Sequence, residues 1–381
     1  MALTFEHLGK YIRLVDERNT EMISKSVLGI NIDKFFMPSV ANVIGTDLSN
    51  YKLLRKGRFA CNPMHVGRDG RLPVSLYLED IPAIVSPAYF MFEIIDESVI
   101  EPDYLMLCFR RSDFDRMCWF RTDASVRGGI TWEDICSLTI PVLPIDEQKI
   151  VVGNFKVLSN RMILLKNTIE NLSNQAQTVY ADMFGSNQNN TPGKIADIAV
   201  NVTDGVHNTI VDDPEGDYLL LSCKNIKGGH LNIGGSERRI NKETFEKLRK
   251  RTNLSKGDVL LSSVGTVGEV VVLNTDPLNF EFQRSVAIIK PNTELVSSEY
   301  LYELLTYNKA ALINAAHGAV QQCLFISDIC EFPIMIPDHN DLDRFNKIVK
   351  PIFRAINIYE REYQALSALR EVLVESFTFK Q

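Results

Sequence analysis

Residues Gly318–Pro337 read "GAVQQCLFISDICEFPIMIP", and residues Ala124–Pro144 read "ASVRGGITWEDICSLTIPVLP". Each stretch holds a small residue and a Val, a few polar or Gly positions, the tripeptide Asp-Ile-Cys, and then an Ile/Pro-rich run of strand character. One constant shift lays Val126 on Val320, Asp134-Ile135-Cys136 on Asp328-Ile329-Cys330, and Ile140 on Ile334. A one-residue slip then lays Pro144 on Pro337. A chain that repeats itself half its length apart carries a duplicated structural unit, and that duplication decides the fold.

A long helical pattern follows each copy. After Pro144, apolar residues fall at Val151, Phe155, Leu158, Met162, Leu165, Ile169, Leu172, Ala176, Val179 and Met183. These alternating steps of four and three are a coiled-coil seam. After Pro337, the seam returns at Phe345, Val349, Ile352, Ile356, Tyr359, Tyr363 and Leu366, breaks at Arg370, and resumes at Leu373 and Phe377, with Pro351 early in it. A helix of about 35 residues is roughly 50 Å long and cannot bury a narrow apolar stripe alone. Two such helices in one chain have each other as partners.

Weaker echoes lie upstream in the same order. "HLGKYI" (7–12) resembles "TPGKIADI" (191–198), "LLRKGRFACNP" (53–63) resembles "NLSKGDVLLSS" (253–263), and "EPDYLMLCF" (101–109) resembles "SSEYLYELL" (297–305). The expected fold is α+β: two similar mixed α/β heads separated by two long antiparallel coiled-coil helices, a pseudo-twofold repeat. The expected boundaries are a head over 1–145, a helix over 146–185, a head over 186–338 and a helix over 339–381. "GSNQNNTPG" (185–193) reads as the linker. In the second head "DYLLLS" (217–222), "GDVLLSS" (257–263) and "GEVVVLN" (268–274) predict strands, and Ser297–Ala316 predicts a Ser-capped helix.

The 381 residues suffice for several cores. No apolar run is long enough to span a bilayer, the N-terminal stretch has charges throughout, and the seven Cys follow no regular spacing. These features predict a cytoplasmic protein with no membrane association. The net charge of −7 runs against a free-standing nucleic-acid binder. Yet residues 224–256 hold ten Lys/Arg against three Glu, beside an acidic turn of Asp212, Asp213, Glu215 and Asp217. Such a basic segment suits phosphates, and a solvated helix around "NKETFEKLRKR" accounts for it equally well.

Catalytic patterns are sparse. "CNPM" (61–64) lacks the second Pro and the aromatic of a base-gripping methyltransferase motif. Glu147 and Lys149 of "DEQK" open a long helix, where acids are ordinary first-turn residues. Cys323 and Cys330 have no His pair at zinc spacing, and "SSVGTVGEV" (262–270) reads as a turn between strands better than as a phosphate cradle. A duplicated head without catalytic residues points to recognition of something long, and DNA half-sites suit it. Two other readings stay open: a single-chain DNA methyltransferase or nuclease whose motif is unrecognised, and a two-headed protein-interaction adaptor.

"IPVLPIDEQKIVV" (140–152), "VTDGVHNTI" (202–210), "LSCKNIKGG" (221–229) and "GDVLLSSVGTVGEV" (257–270) together resemble the specificity subunit of type I restriction-modification enzymes, over essentially the whole chain. The resemblance implies two target-recognition domains, each reading one half of a bipartite DNA target. It implies no chemistry and no cofactor in this chain. Two modification (methyltransferase) subunits carrying S-adenosylmethionine, and in the full enzyme ATP-dependent restriction subunits, are the implied partners beside double-stranded DNA. The first head departs from the family, with "VDERNTEMISK" (15–25) where the Asp-Gly-x-His loop is usual, and "DHNDLD" (338–343) replaces the second Glu-Gln.

Base edges call for Arg at guanine and Asn or Gln at adenine. In the second head the DNA-binding candidates are Thr203, His207, Asn208 and Thr209, then Lys224, Asn225 and Lys227, Ser263 and Thr266, and Gln321 and Gln322. In the first head they are Arg58, Asn62, His65, Arg68, Ser125 and Arg127.

Overall fold

The computed structural model describes residues 4–40, 45–64, 66–122, 128–185, 191–277, 279–318 and 321–376. The chain divides into two units, residues 1–164 with 363–381, and residues 165–362.

In the first unit a four-stranded antiparallel sheet runs in the order Ile12–Leu14, Phe90–Ile94, Phe59–Cys61, Val74–Leu76. In the second unit the order Ala199–Asp204, Val286–Pro291, Val259–Ser262, Val270–Val272 repeats that topology. Each unit adds a further sheet containing one parallel pair, Val27–Ile30 with Ala83–Val85 and Tyr218–Leu221 with Phe280–Phe282. Each also closes with a two-stranded ladder, Thr4–His7 on Thr139–Val142 and Thr191–Lys194 on Pro333–Ile336. Residues 191–193, read as the end of the linker, therefore belong to the strand Thr191–Lys194. Their backbone finds its antiparallel partner in the distant strand Pro333–Ile336, which no local signal could announce.

The strands are short, and in each central sheet three of the four are buried along most of their length, whereas the edge strands Ile12–Leu14 and Ala199–Asp204 are largely exposed or half-buried. "VLLS" (259–262) and "VVV" (270–272) are buried at every position, as sandwiched strands require. Residues 297–316 form two helices, Ser298–Tyr307 and Lys309–Ala315, because the chain turns at Asn308. Ser297 caps the first by accepting the Tyr300 N–H at 3.1 Å.

The two long helices are Ile145–Phe184 and His339–Ser376. In the first unit Val152 and Val374 enter one core, so the start of one helix packs with the end of the other. In the second unit Ala176, Tyr180 and Phe184 share a core with Leu342, Phe345 and Val349, again start against end. The pairing is thus antiparallel within each unit. The buried line of the first helix keeps the expected Met162, Leu165, Ile169 and Ala176 but moves one residue at both ends. Val152 replaces Val151, and Tyr180 and Phe184 replace Val179 and Met183 as the buried residues. At both ends the buried residues join a head core, which sets the face that is covered there. Phe377 lies outside the described residues.

Equivalent joints hold each head to its helix. Tyr104 and Tyr300, matched by the sequence repeat, donate their hydroxyls to Pro141 O at 3.1 Å and Met335 O at 3.3 Å. The residue capping each head helix is tied to a side-chain amide on a long helix. Glu101 N donates to Gln148 Oε1 at 2.9 Å, and Ser297 Oγ donates to Asn346 Oδ1 at 2.6 Å. Gln148 is fully buried and also donates to Val99 O and Leu143 O, so the Glu-Gln step seen in the sequence is a structural anchor. Among the described residues no helix is long and apolar enough to cross a membrane.

Candidate nucleic-acid interface

In the second unit the loops at one end of the central sheet converge on residues 283–285. Val206 N donates to Phe282 O at 2.9 Å and Arg284 N donates back to Val206 O at 3.0 Å. Ser263 N donates to Ser285 O at 2.9 Å, Gln283 N to Leu221 O at 2.8 Å, and Cys223 N to Ser285 Oγ at 3.0 Å. Gly265 N donates to Gln322 O at 3.0 Å, which brings in the segment before the last head helix. Segments 204–209, 221–225, 263–266, 283–285 and 321–322 are thereby one hydrogen-bonded cluster. Gly205 makes the approach possible. A Cβ there would lie 2.1 Å from Phe282 O and 2.2 Å from Gln283 O, so only glycine fits.

The cluster gathers several of the predicted residues on its exposed surface. His207, Asn208, Thr209, Lys224, Thr266, Gln321 and Gln322 are all solvent-exposed. His207 Nε2 lies 2.6 Å from Asp204 Oδ2, which fixes the ring. Lys224 pairs with Glu237 at 3.0 Å. Burial alone would raise the Glu237 carboxyl, yet Lys224 and Asn225 hold it below its ordinary value.

Other predicted residues have internal roles. Asn225 is buried, with Oδ1 accepting Ser222 N and Nδ2 donating to Asn232 O, both at 2.9 Å. Ser263 is buried as well, its Oγ directed to Arg284 O at 3.5 Å. Both shape loops and present nothing to a ligand. Thr203 receives Arg251, whose other terminal nitrogen donates to Asp204 O at 2.7 Å. Lys227 sits apart, on a hairpin whose tip Gly228 N donates to Glu269 at 2.7 Å and whose His230 pairs with Glu360 of the second long helix at 2.5 Å.

The basic segment is partly neutralised by acids of the same head. Arg238 pairs with Asp212, Arg249 with the buried Glu281, and Arg251 with Asp204. Burial pushes the Glu281 carboxyl up despite Arg249 beside it. "NKETFEKLRKR" is indeed a helix, Lys242–Thr252, capped by Asn241 at its start and closed by Asn253 in the left-handed region.

In the first unit Arg58 is not a free reader. It donates to Leu53 O at 2.9 Å and pairs with Glu17 at 2.6 Å, and its side chain is largely buried. It also precedes the strand Phe59–Cys61, whereas Asn62 follows it, so the two are about 13 Å apart along the strand. Asn62 accepts Met64 N at 3.0 Å, and Arg68 is exposed beside Asp69. The loop carrying them meets residue 128, because Gly67 N donates to Gly128 O at 2.8 Å and a Cβ on Gly67 would lie 2.8 Å from Gly128 Cα. His65, Ser125 and Arg127 lie outside the described residues.

Residues 192–368 match the family model of the type I restriction modification DNA specificity domain. That match places a DNA specificity domain of type I restriction-modification systems in the second half of the chain. Over 145 residues the chain is 28% identical to a protein of Haemophilus influenzae described as a type I restriction enzyme specificity subunit, an alignment covering 35% of this chain and 36% of that one. The chain thus matches about a third of that relative's length. Its fold is similar to the crystal structure of a type I restriction-modification S subunit from M. genitalium, with a TM-score of 0.59 and 13% identity over 98% of this chain and 96% of that one. The DNA specificity domain contains the whole loop cluster of the second unit. Within it, Gln283 and Arg284 escaped the sequence reading. Their signal was present: three consecutive polar residues, "QRS", separate "FEF" (280–282) from "VAII" (286–289) and mark a turn between two strands.

Proposed function

We propose that this chain is the DNA-recognition subunit of a type I restriction-modification complex, each unit reading one half of a bipartite duplex target. The observation that carries the proposal is the duplicated head topology, with a DNA specificity domain matched over residues 192–368 and a preorganised polar loop cluster at one end of the second head's sheet. Fixed backbone and exposed Asn, Gln, Thr and His side chains suit base edges, while exposed lysines such as Lys247 and Lys250 suit phosphates. The chain itself carries out no bond chemistry in this reading. Two modification subunits supply S-adenosylmethionine and methyl transfer, restriction subunits supply ATP-driven cleavage where present, and the assembly works on cytoplasmic DNA.

An exposed stripe supports docking of such partners. Ile150, Val157 and Leu164 recur every seven residues on one face of the first long helix, each more than half exposed. They sit roughly 200° around the helix from the line through Gln148, away from the internal core. Methylome sequencing of a host with and without the chain tests the proposal. The expected result is one bipartite motif that disappears with the chain, and an unchanged methylome refutes it. The purified chain incubated with DNA and labelled S-adenosylmethionine should transfer no methyl group.

A further inference from the structure

The arginines of the second head divide unequally. Arg238 donates to Asp212, Arg239 to Gly216 O, Arg249 to Glu281, and Arg251 to Asp204. Arg284, exposed at the turn between Phe280–Phe282 and Val286–Pro291, is the one arginine between residues 191 and 337 without an internal partner among the described residues. It also occupies the centre of the loop cluster. Its N–H is bound by Val206 O, its carbonyl faces Ser263 Oγ, and the residues on either side are bonded to Leu221, Cys223 and Ser263. Its neighbours on the adjoining segments are the exposed His207, Asn208, Thr209 and Gln322.

A guanidinium is a rigid fork of donors that is always charged. Elsewhere in the head that capacity is met by carboxylates and carbonyls. At Arg284 the backbone is held from several sides while the head group has no acceptor among the described residues, so little order remains to be imposed when a ligand arrives. The planar fork matches the O6 and N7 acceptors of guanine in the major groove. A phosphate contact would suit a residue at the rim, as with Lys247 and Lys250 on the surface helix. Arg284 instead lies where the loops meet.

Resting on the reading of this domain as a DNA reader, we infer that Arg284 is a specificity-determining residue that reads one guanine of the half-site bound by the second unit. The side chain makes no internal bond among the described residues, so Arg284→Ala and Arg284→Gln should melt as the wild type does. Methylomes of hosts carrying the wild type or either variant supply the first readout. Binding of the assembled complex to duplexes varied one base at a time, across a salt series, supplies the second. The expected result is a motif relaxed at a single G·C position of one half, with discrimination there falling roughly ten- to a hundred-fold and the other half unchanged. Uniform weakening on every sequence, with the salt slope reduced by about one, would mark a phosphate contact and overturn the inference. An unaltered motif in both variants overturns it too. If the wild-type chain directs no bipartite motif, the parent reading itself fails, a result distinct from either of these.

Discussion

Glu303 is the sharpest physical test of the second unit. It lies on the helix Ser298–Tyr307, is 1% exposed, and its Oε2 has no hydrogen-bond partner among the described residues. It faces a small cavity that Ser173, Asn274, Tyr302, Phe353, Asn357 and the His230–Glu360 pair also line. Burial pushes its carboxyl up to about 8 from 4.5, so the folded protein holds it neutral at pH 7. Between those values the folded state binds one more proton than the unfolded chain, and stability falls as pH rises. The penalty is under about 1 kcal/mol at pH 5 and about 4 kcal/mol at pH 8, after which it levels off. Glu303→Gln keeps the shape and removes the titration. Urea unfolding at pH 5 and pH 8 should therefore show the variant gaining stability over the wild type mainly at pH 8. His230, Glu360, Tyr302 and the nearby Tyr180 are common to both proteins and cancel in the comparison. An equal gain at both pH values would refute the account.

Phe345 packs among Tyr180, Phe184 and Tyr300, with Phe184 at 5.4 Å between ring centroids, so Phe345→Ala should cost about 3–5 kcal/mol in a denaturant titration. Gly205→Ala would set a Cβ against Phe282 O and Gln283 O, displacing the His207–Thr209 loop. Duplex binding should then lose roughly tenfold or more at one half-site and nothing at the other. Val157→Glu places a charge on an exposed apolar stripe. Pull-down of co-expressed modification subunits should fall by about tenfold or more while the melting temperature holds, since nothing internal is touched.

Much of the architecture was legible because its signals are local or periodic. The helix seam, the Asp-Ile-Cys repeat and the paired Tyr104 and Tyr300 positions announced a duplicated head on long helices, and the structure gives the two tyrosines the same task. The candidate site was legible only in part. "VTDGVHNTI", "SSVGT" and the Gln321-Gln322 pair were visible as polar turns, and they do meet in one cluster. Arg284 was passed over because an arginine at the end of a β-rich run looks like any surface charge.

What the sequence by itself determined was the kind of element at each position: its periodicity, its turns, and the fact of repetition. Those depend on side-chain spacing and backbone preference, which are written within a few residues. Only the tertiary structure decided which polar groups remain available. Asn225, Ser263 and Arg58 look like readers in the sequence but find internal partners, while the Arg284 side chain finds none among the described residues. The difference lies in which distant strands and loops arrive beside each side chain. A hydrogen-bonding group is free for a ligand only when no folded neighbour has already satisfied it.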